Sequence, residues 1–287
     1  MKIEFAEILM HPATILTFIF GLDLLFGDPV YRLHPVRLIG KLLTCYENRL
    51  RKIGLDGKFG GILLVLLLLA SSLVIAGSVF YLLESLHWSL GWLWSVYLGW
   101  SFLALADLLQ HAKHVATAIK EVDLAEAKRQ VGMLVGRDTK QMDLAACGRA
   151  AVESVSENLN DGVIAPLFYF CFFGIPGMLF FKVVSTLDSM VGYRNERYQD
   201  FGWCGARFDD LLSWIPARLS WLLLSVSAAT RIVRQKRIQS RLAGLCKTAQ
   251  SKCRLERSYS SWSVENKTLR TGLARRETGS RLLAWQS

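Results

Sequence analysis

Residues 60–83 read GGILLVLLLLASSLVIAGSVFYLL, 24 positions without a charged side chain. Wound as a helix rising 1.5 Å per residue, such a run is about 36 Å long, enough to cross the roughly 30 Å hydrocarbon core of a bilayer. A membrane-spanning helix is therefore the first expectation. Residues 88–106, WSLGWLWSVYLGWSFLALA, form a second apolar stretch whose four tryptophans suit a membrane interface. Only residues 84–87 separate the two, which reads as a helical hairpin with a four-residue link. Residues 10–27 are a third segment, interrupted by Asp23; they lack a basic leader and a small-residue cleavage site, so they are not read as a signal peptide. Residues 211–230, containing Pro216 and Arg218, are the last. The fold class expected is all-α, a polytopic integral membrane protein with about four hydrophobic segments.

Composition agrees: 52% of the 287 residues are hydrophobic, too many for an ordinary soluble domain. The net charge of +10 is unevenly placed. Residues 231–287 hold 14 Lys/Arg against three Glu, whereas residues 1–230 hold 20 against 21 acidic residues. With no basic stripe interleaved with aromatics in the body, nucleic acid is excluded as a partner and the lipid bilayer is the expected one. The six cysteines are scattered without a CxxC pair, which points to reduced thiols and away from zinc or a disulfide framework.

Three polar stretches alternate with the apolar ones. Residues 28–59 carry seven Lys/Arg and the GDP and HP turn signals, followed by an amphipathic helix over 38–52 that lies along the membrane surface. Residues 107–161, again with seven Lys/Arg, suggest two helices, about 107–135 and 142–159, joined by GRDT, in which Asp138 or Thr139 caps the second. Basic loops favour the cytosolic side. The run 162–181, GVIAPLFYFCFFGIPGMLFF, is then awkward, because a single crossing would place the basic loop 182–210 on the opposite face. The GIPG at 174–177 resolves this if the segment turns midway and returns as a re-entrant hairpin.

On the second loop helix Arg149, Glu153 and Glu157 recur at i, i+4, i+8 and share a face. Spacing alone is met as well by a solvated face, but Asn158, Asn160 and Asp161 follow at once, just ahead of the apolar run. Hard cations such as magnesium take oxygen ligands of this kind and share them with phosphates. Asp23, alone in an apolar run, marks either a functional or paired position or a helix end at the surface. Asp107, His111 and His114 share a helical face too; the bland reading, a wet interfacial face, outweighs a metal site. There is no GxxxxGK[ST], HExxH or GxSxG.

Five blocks taken in order, GLDLLFGDPVYRLHPVRLIG (21–40), VGRDT (135–139), AAVESVSENLNDGVIAPLFYF (150–170), STLDSMVGY (185–193) and ARFDDLLSWIPARL (206–219), resemble the integral-membrane adenosylcobinamide-phosphate synthases of cobalamin biosynthesis. The resemblance implies an amide-forming step at the cytosolic face of the cell membrane. In it, adenosylcobyric acid is joined through its propionate carboxylate to aminopropanol or its O-phosphate. These two compounds are then the substrates, the corrinoid being substrate rather than cofactor, and association with other corrinoid-pathway enzymes follows naturally. A carboxylate is a poor acyl group at neutral pH, so ATP and Mg²⁺ are expected from the chemistry although no motif displays them. On motif position and residue chemistry, Glu153, Glu157, Asp161 and Asp188 are the catalytic candidates and Glu157 and Asp161 the metal candidates. Arg137, Asn160, Arg194 and Asp209 are the candidates for holding substrate or phosphate.

The resemblance covers residues from about 20 to 220, and the pattern departs after about residue 230. A synthase domain over 1–230 and a basic tail over 231–287 are expected, the tail being either the product of a frameshift or a divergent basic arm on the anionic membrane surface. Two other classes compete with the synthase: a transporter component for a small polar or corrinoid solute, and a non-catalytic membrane scaffold. Few spans, no internal repeat and polar residues gathered in loops count against the transporter.

Overall fold

The computed structural model describes residues 9, 11–28, 31, 33–135 and 139–231. Its regular elements there are helical: α1 (Pro12–Phe26), α2 (Pro35–Lys52), α3 (Lys58–Leu86), α4 (Trp88–Phe102), α5 (Leu105–Lys120), α6 (Leu124–Leu134), α7 (Leu144–Leu159), a π turn (Asn160–Ile164), α8 (Ala165–Val191) and α9 (Trp203–Arg231). Two compact units, Met1–Leu222 and Leu223–Ser287, divide the chain, and the site lies in the first.

Three helical stretches are long and apolar enough to cross a membrane, Lys58–Leu86, Trp88–Lys120 and Leu144–Val191, with Pro12–Phe26 a shorter apolar helix. Only 28% of the apolar window of α3 is buried within the protein. Leu66, Val74, Ile75 and Leu82 project outward from it. A stripe of that kind would be untenable in water and is at home against lipid tails. The protein is an all-α, multi-pass membrane protein.

Local chemistry places the ends. Pro12 and Pro35 open α1 and α2 at the first helical turn, where a missing N–H costs nothing. The hairpin link contracts to a single residue, His87, because α3 continues to Leu86. The His87 ring nitrogen accepts the Ser89 N–H at 3.2 Å and caps α4.

The expected helix 107–135 is instead two. Val122, at φ 59°, breaks it, and Asp123 caps α6 by accepting the Glu126 N–H at 3.0 Å. The cap expected at Asp138 or Thr139 falls to Asp143, whose carboxylate accepts the Ala146 N–H at 2.6 Å; Asp138 lies outside the described residues. Helices α5, α6 and α7 then enclose a separate small core of Val115, Ala118, Ala127, Val131, Cys147, Ala150 and Ala151. Alanine-rich faces let these three short helices approach closely, so residues 105–159 form a helical bundle rather than a loop.

The main core joins Ile19, Leu43, Leu64, Leu68, Phe102, Met178, Val184, Leu187 and Phe201. Against lipid tails as apolar as themselves, these side chains stabilise through close packing rather than through release from water. Beside it Glu47 of α2, 4% exposed, accepts hydrogen bonds from Arg51 and Arg197, each at 3.0 Å. Arg51 also donates to the Arg197 carbonyl at 2.9 Å and lies over the Phe201 ring. This ties the segment between α8 and α9 to the amphipathic helix.

Helix α8 is not straight. Gly174 sits at φ 63°, ψ −150°, a conformation open to glycine at little cost. At Gly177 a Cβ would collide with the Tyr169 carbonyl. The Tyr169 and Phe181 rings stack with centroids 5.5 Å apart, whereas residues twelve apart in a straight helix are separated by about 18 Å. The chain therefore reverses, and the midway turn anticipated at GIPG is present. Its first arm, from Ala165 to the break, is too short to span a roughly 30 Å core. The polar run 185–190, expected in a loop, is the end of the second arm. Cys45, Cys147, Cys171 and Cys204 are free thiols.

A reversal returns the following segment to the side from which it came. In a background lacking the native cysteines, single cysteines near Arg197 and near Lys120 should react with an impermeant maleimide from the same side of sealed vesicles. Labelling from opposite sides would rule the hairpin out in the membrane.

Candidate active site

The hairpin brings two ends of sequence together. Lys182, 21 residues after Asp161, would stand about 31 Å from it in a continuous helix. Instead Lys182 interacts electrostatically with both Asp161 and Asp28. The π turn sets Asp161 in place: the Ala165 N–H bonds to the Asn160 carbonyl five residues back, adding a residue to that turn and re-aiming the side chains that follow. Asn160, 8% exposed, donates to Asp161 at 2.8 Å and accepts from the Ser220 hydroxyl at 3.2 Å. The buried amide thus fixes the orientation of the carboxylate beside it.

Asp209, two residues before the apolar run of α9, faces the same place. Burial pushes its carboxyl up to about 8, reinforced by the negative charges of Asp161, Asp188 and Asp210. Carboxylates crowded around a half-buried site oppose one another's ionisation. Of the residues expected from sequence, Asn160, Asp161, Asp188 and Asp209 are thus gathered at one locus. Glu153 is half-buried and Glu157 exposed, both on α7 ahead of the π turn, while Arg194 is exposed after α8. Arg137 lies outside the described residues.

Sequence reasoning missed three participants. Lys182 was read only as a marker of topology, although a cation ending a 20-residue uncharged run was its signal. Asp28 and His34 were read as turn residues; their side chains meet at 2.7 Å, with His34 5% exposed. The two ambiguous acids resolve as well. Asp23 accepts the Ala106 N–H at 3.0 Å, so it caps α5 from a neighbouring helix. Asp107 accepts the Asp28 N–H at 3.4 Å and holds the turn after α1.

Among the described residues no three His, Cys, Asp or Glu side chains are grouped to hold a metal by themselves. Magnesium does not need such a cage, since it commonly binds through one or two carboxylates with waters and phosphate oxygens. The mutual repulsion around Asp209 is a donor set of the kind a divalent ion relieves. Oxygen donors, one lysine and a proton-holding carboxyl can together bind anions and move a proton.

The fold and this locus define an α-helical membrane protein whose acidic, lysine-containing site lies where a helical hairpin returns to its neighbours. A family model described as CobD/Cbib protein matches residues 16–253. The chain belongs to the CobD/CbiB family, as the five sequence blocks implied. It is 47% identical over 207 residues to a Geobacter metallireducens protein named cobalamin biosynthesis protein CobD, covering 72% of this chain and 65% of that one. A Klebsiella pneumoniae protein of the same name is 42% identical over 210 residues, covering 72% and 66%. The Salmonella arizonae cobalamin biosynthesis protein CbiB is 40% identical over 210 residues, with the same coverage. The chain thus spans just under two thirds of these relatives. No solved structure matches it.

The raised Asp209 has a thermodynamic consequence. A carboxyl that keeps its proton to about 8 when folded, against 3.8 ordinarily, contributes stability present at low pH and lost as pH rises from about 4 to 8. Asp209→Asn is neutral throughout. In detergent its melting temperature relative to wild type should climb with pH and level off near pH 8; parallel curves would show Asp209 ionised across the range.

Proposed function

We propose that the chain forms an amide bond in cobalamin biosynthesis, joining a propionate carboxylate of adenosylcobyric acid to aminopropanol or its O-phosphate at the cytosolic face of the cell membrane. The observation that carries this reading is the meeting of Asp161, Asp188, Asp209 and Lys182 at the returning end of the hairpin in a chain of the CobD/CbiB family. The names of the similar proteins support the pathway.

The chemistry demands three things: a carboxylate oxygen made into a leaving group, an amine freed of its proton, and neutralisation of the charge that builds up. ATP with magnesium supplies the first when bound. Asp161 and Glu157 are the residues assigned to the metal, with Asn160 orienting Asp161. Asp209, whose carboxyl is raised by burial and by the neighbouring acids, is the group assigned to accept the amine proton. Lys182 offsets developing negative charge, and Arg194 and Arg137 are assigned to phosphate. Asp188 completes the acidic group around Asp209, and Glu153, on α7, remains a candidate outside it.

The test uses membranes carrying each variant, supplied with adenosylcobyric acid, aminopropanol or its phosphate, ATP and magnesium, with the amide product quantified. Asp161→Asn and Glu157→Gln should each lower the rate, and Asp209→Asn, which removes the assigned base, should lower it by about 10²–10⁴-fold. Normal rates in all three would make the cluster structural. A deletion strain should grow when given cobinamide; failure of that rescue would favour the transporter reading.

A further inference from the structure

A cavity of about 240 Å³ adjoins the acidic locus. It lies between the turn after α1, the start of α2 and the break separating α4 from α5, and Lys182 closes one side. Its ionisable lining is Asp28, His34, Arg37 and Lys182, with Ser101 beside them, and Phe102 and Leu103, both buried, form its apolar floor. None of its polar residues has a role in the amide-forming scheme beyond the charge of Lys182.

Size decides the class of ligand. Pockets for drug-sized molecules measure about 300–1,000 Å³, so this one suits a molecule of roughly ten heavy atoms or fewer and excludes a corrin ring. Charge narrows it further. Arg37 and Lys182 bring basic side chains to it, and Asp28, held against His34 at 2.7 Å, an acidic one. A lining with both signs above an apolar floor complements a short chain with a cation at one end and an anion at the other. Position supplies the last step: Lys182 also interacts with Asp161, which in turn neighbours Asp209, so whatever occupies the cavity ends beside the reacting groups.

We propose that this cavity is the subsite for the small amine co-substrate, a short amino alcohol bound as its phosphate monoester, with phosphate on Lys182 and Arg37 and ammonium toward Asp28. This rests on the amide-forming reading above and adds where the smaller substrate sits and which residues select it. The corrinoid then approaches from outside the cavity.

The experiment is titration of the purified full chain in nanodiscs with 1-amino-2-propanol O-phosphate, corrinoid absent, beside inorganic phosphate and the unphosphorylated amine. Wild type should prefer the ester to either control. Lys182→Met and Arg37→Met should each weaken ester binding roughly ten- to hundredfold, the usual loss for a hydrogen bond to a charged group. Asp28→Asn should weaken the ester and the free amine but leave inorganic phosphate unchanged. Arg37 is exposed at the cavity mouth, so its variant tests the subsite even if Lys182→Met fails to fold. In turnover, Arg37→Met should raise KM for the ester with KM for adenosylcobyric acid unaltered. Absence of ester binding by wild type, or unaltered affinity in the Arg37 variant, overturns the subsite. If wild type binds the ester but forms no amide, the functional reading fails while the subsite stands; amide formation with unaltered ester KM sinks the subsite alone.

Discussion

At Gly174 the backbone leaves helical space, and packing of Gly177 on the Tyr169 carbonyl turns that departure into a reversal. Every relation at the site follows from it. Lys182 would otherwise be carried away from Asp161 along the helix axis. Instead the second arm returns with Lys182 and Asp188 aligned beside the π turn and the start of α9. Backbone that departs from regular helix at membrane depth is tolerable only where protein covers it. The Tyr169–Phe181 stack and the buried Met178 supply part of that cover.

Two other polar contacts hold the walls against which the hairpin packs. Asp23 satisfies the start of α5 from within α1, where an uncapped helix end in an apolar surrounding would leave orphan N–H groups. Buried Glu47 gathers Arg51 and the more exposed Arg197, tying α2 to the segment before α9. Both contacts join segments far apart in sequence. The acidic locus is therefore built on positions set by other buried acids.

Much of this was legible beforehand. The uncharged run 60–83 announced a membrane helix, and the contradiction between one crossing and the basic loop 182–210, with GIPG in between, announced the reversal. The locus was half-legible. Asn160, Asp161, Asp188 and Asp209 stood out because polar residues crowded the entrances to apolar runs. Lys182 and the Asp28–His34 pair did not, because what joins them is the approach of Lys182 to Asp28 from the far side of the sequence, which no local spacing encodes. Helix boundaries failed for a different reason. At Val122 the backbone takes a conformation rare for a β-branched residue, and Asp143 outcompetes the nearer-looking caps at GRDT.

The π turn at Asn160–Ile164 carries one residue more than an α-helix would use there. A deletion that regularised this turn would leave the helices on either side nearly in line, because the extra residue is taken up within the turn itself. What it would change is the aim of the side chains inside, Asn160 and Asp161 first. A deletion in the regular parts of α7 or α8 has no such slack and would rotate everything beyond it by about 100°. Within the turn, then, length sets where one carboxylate points; outside it, length sets the register of the whole hairpin.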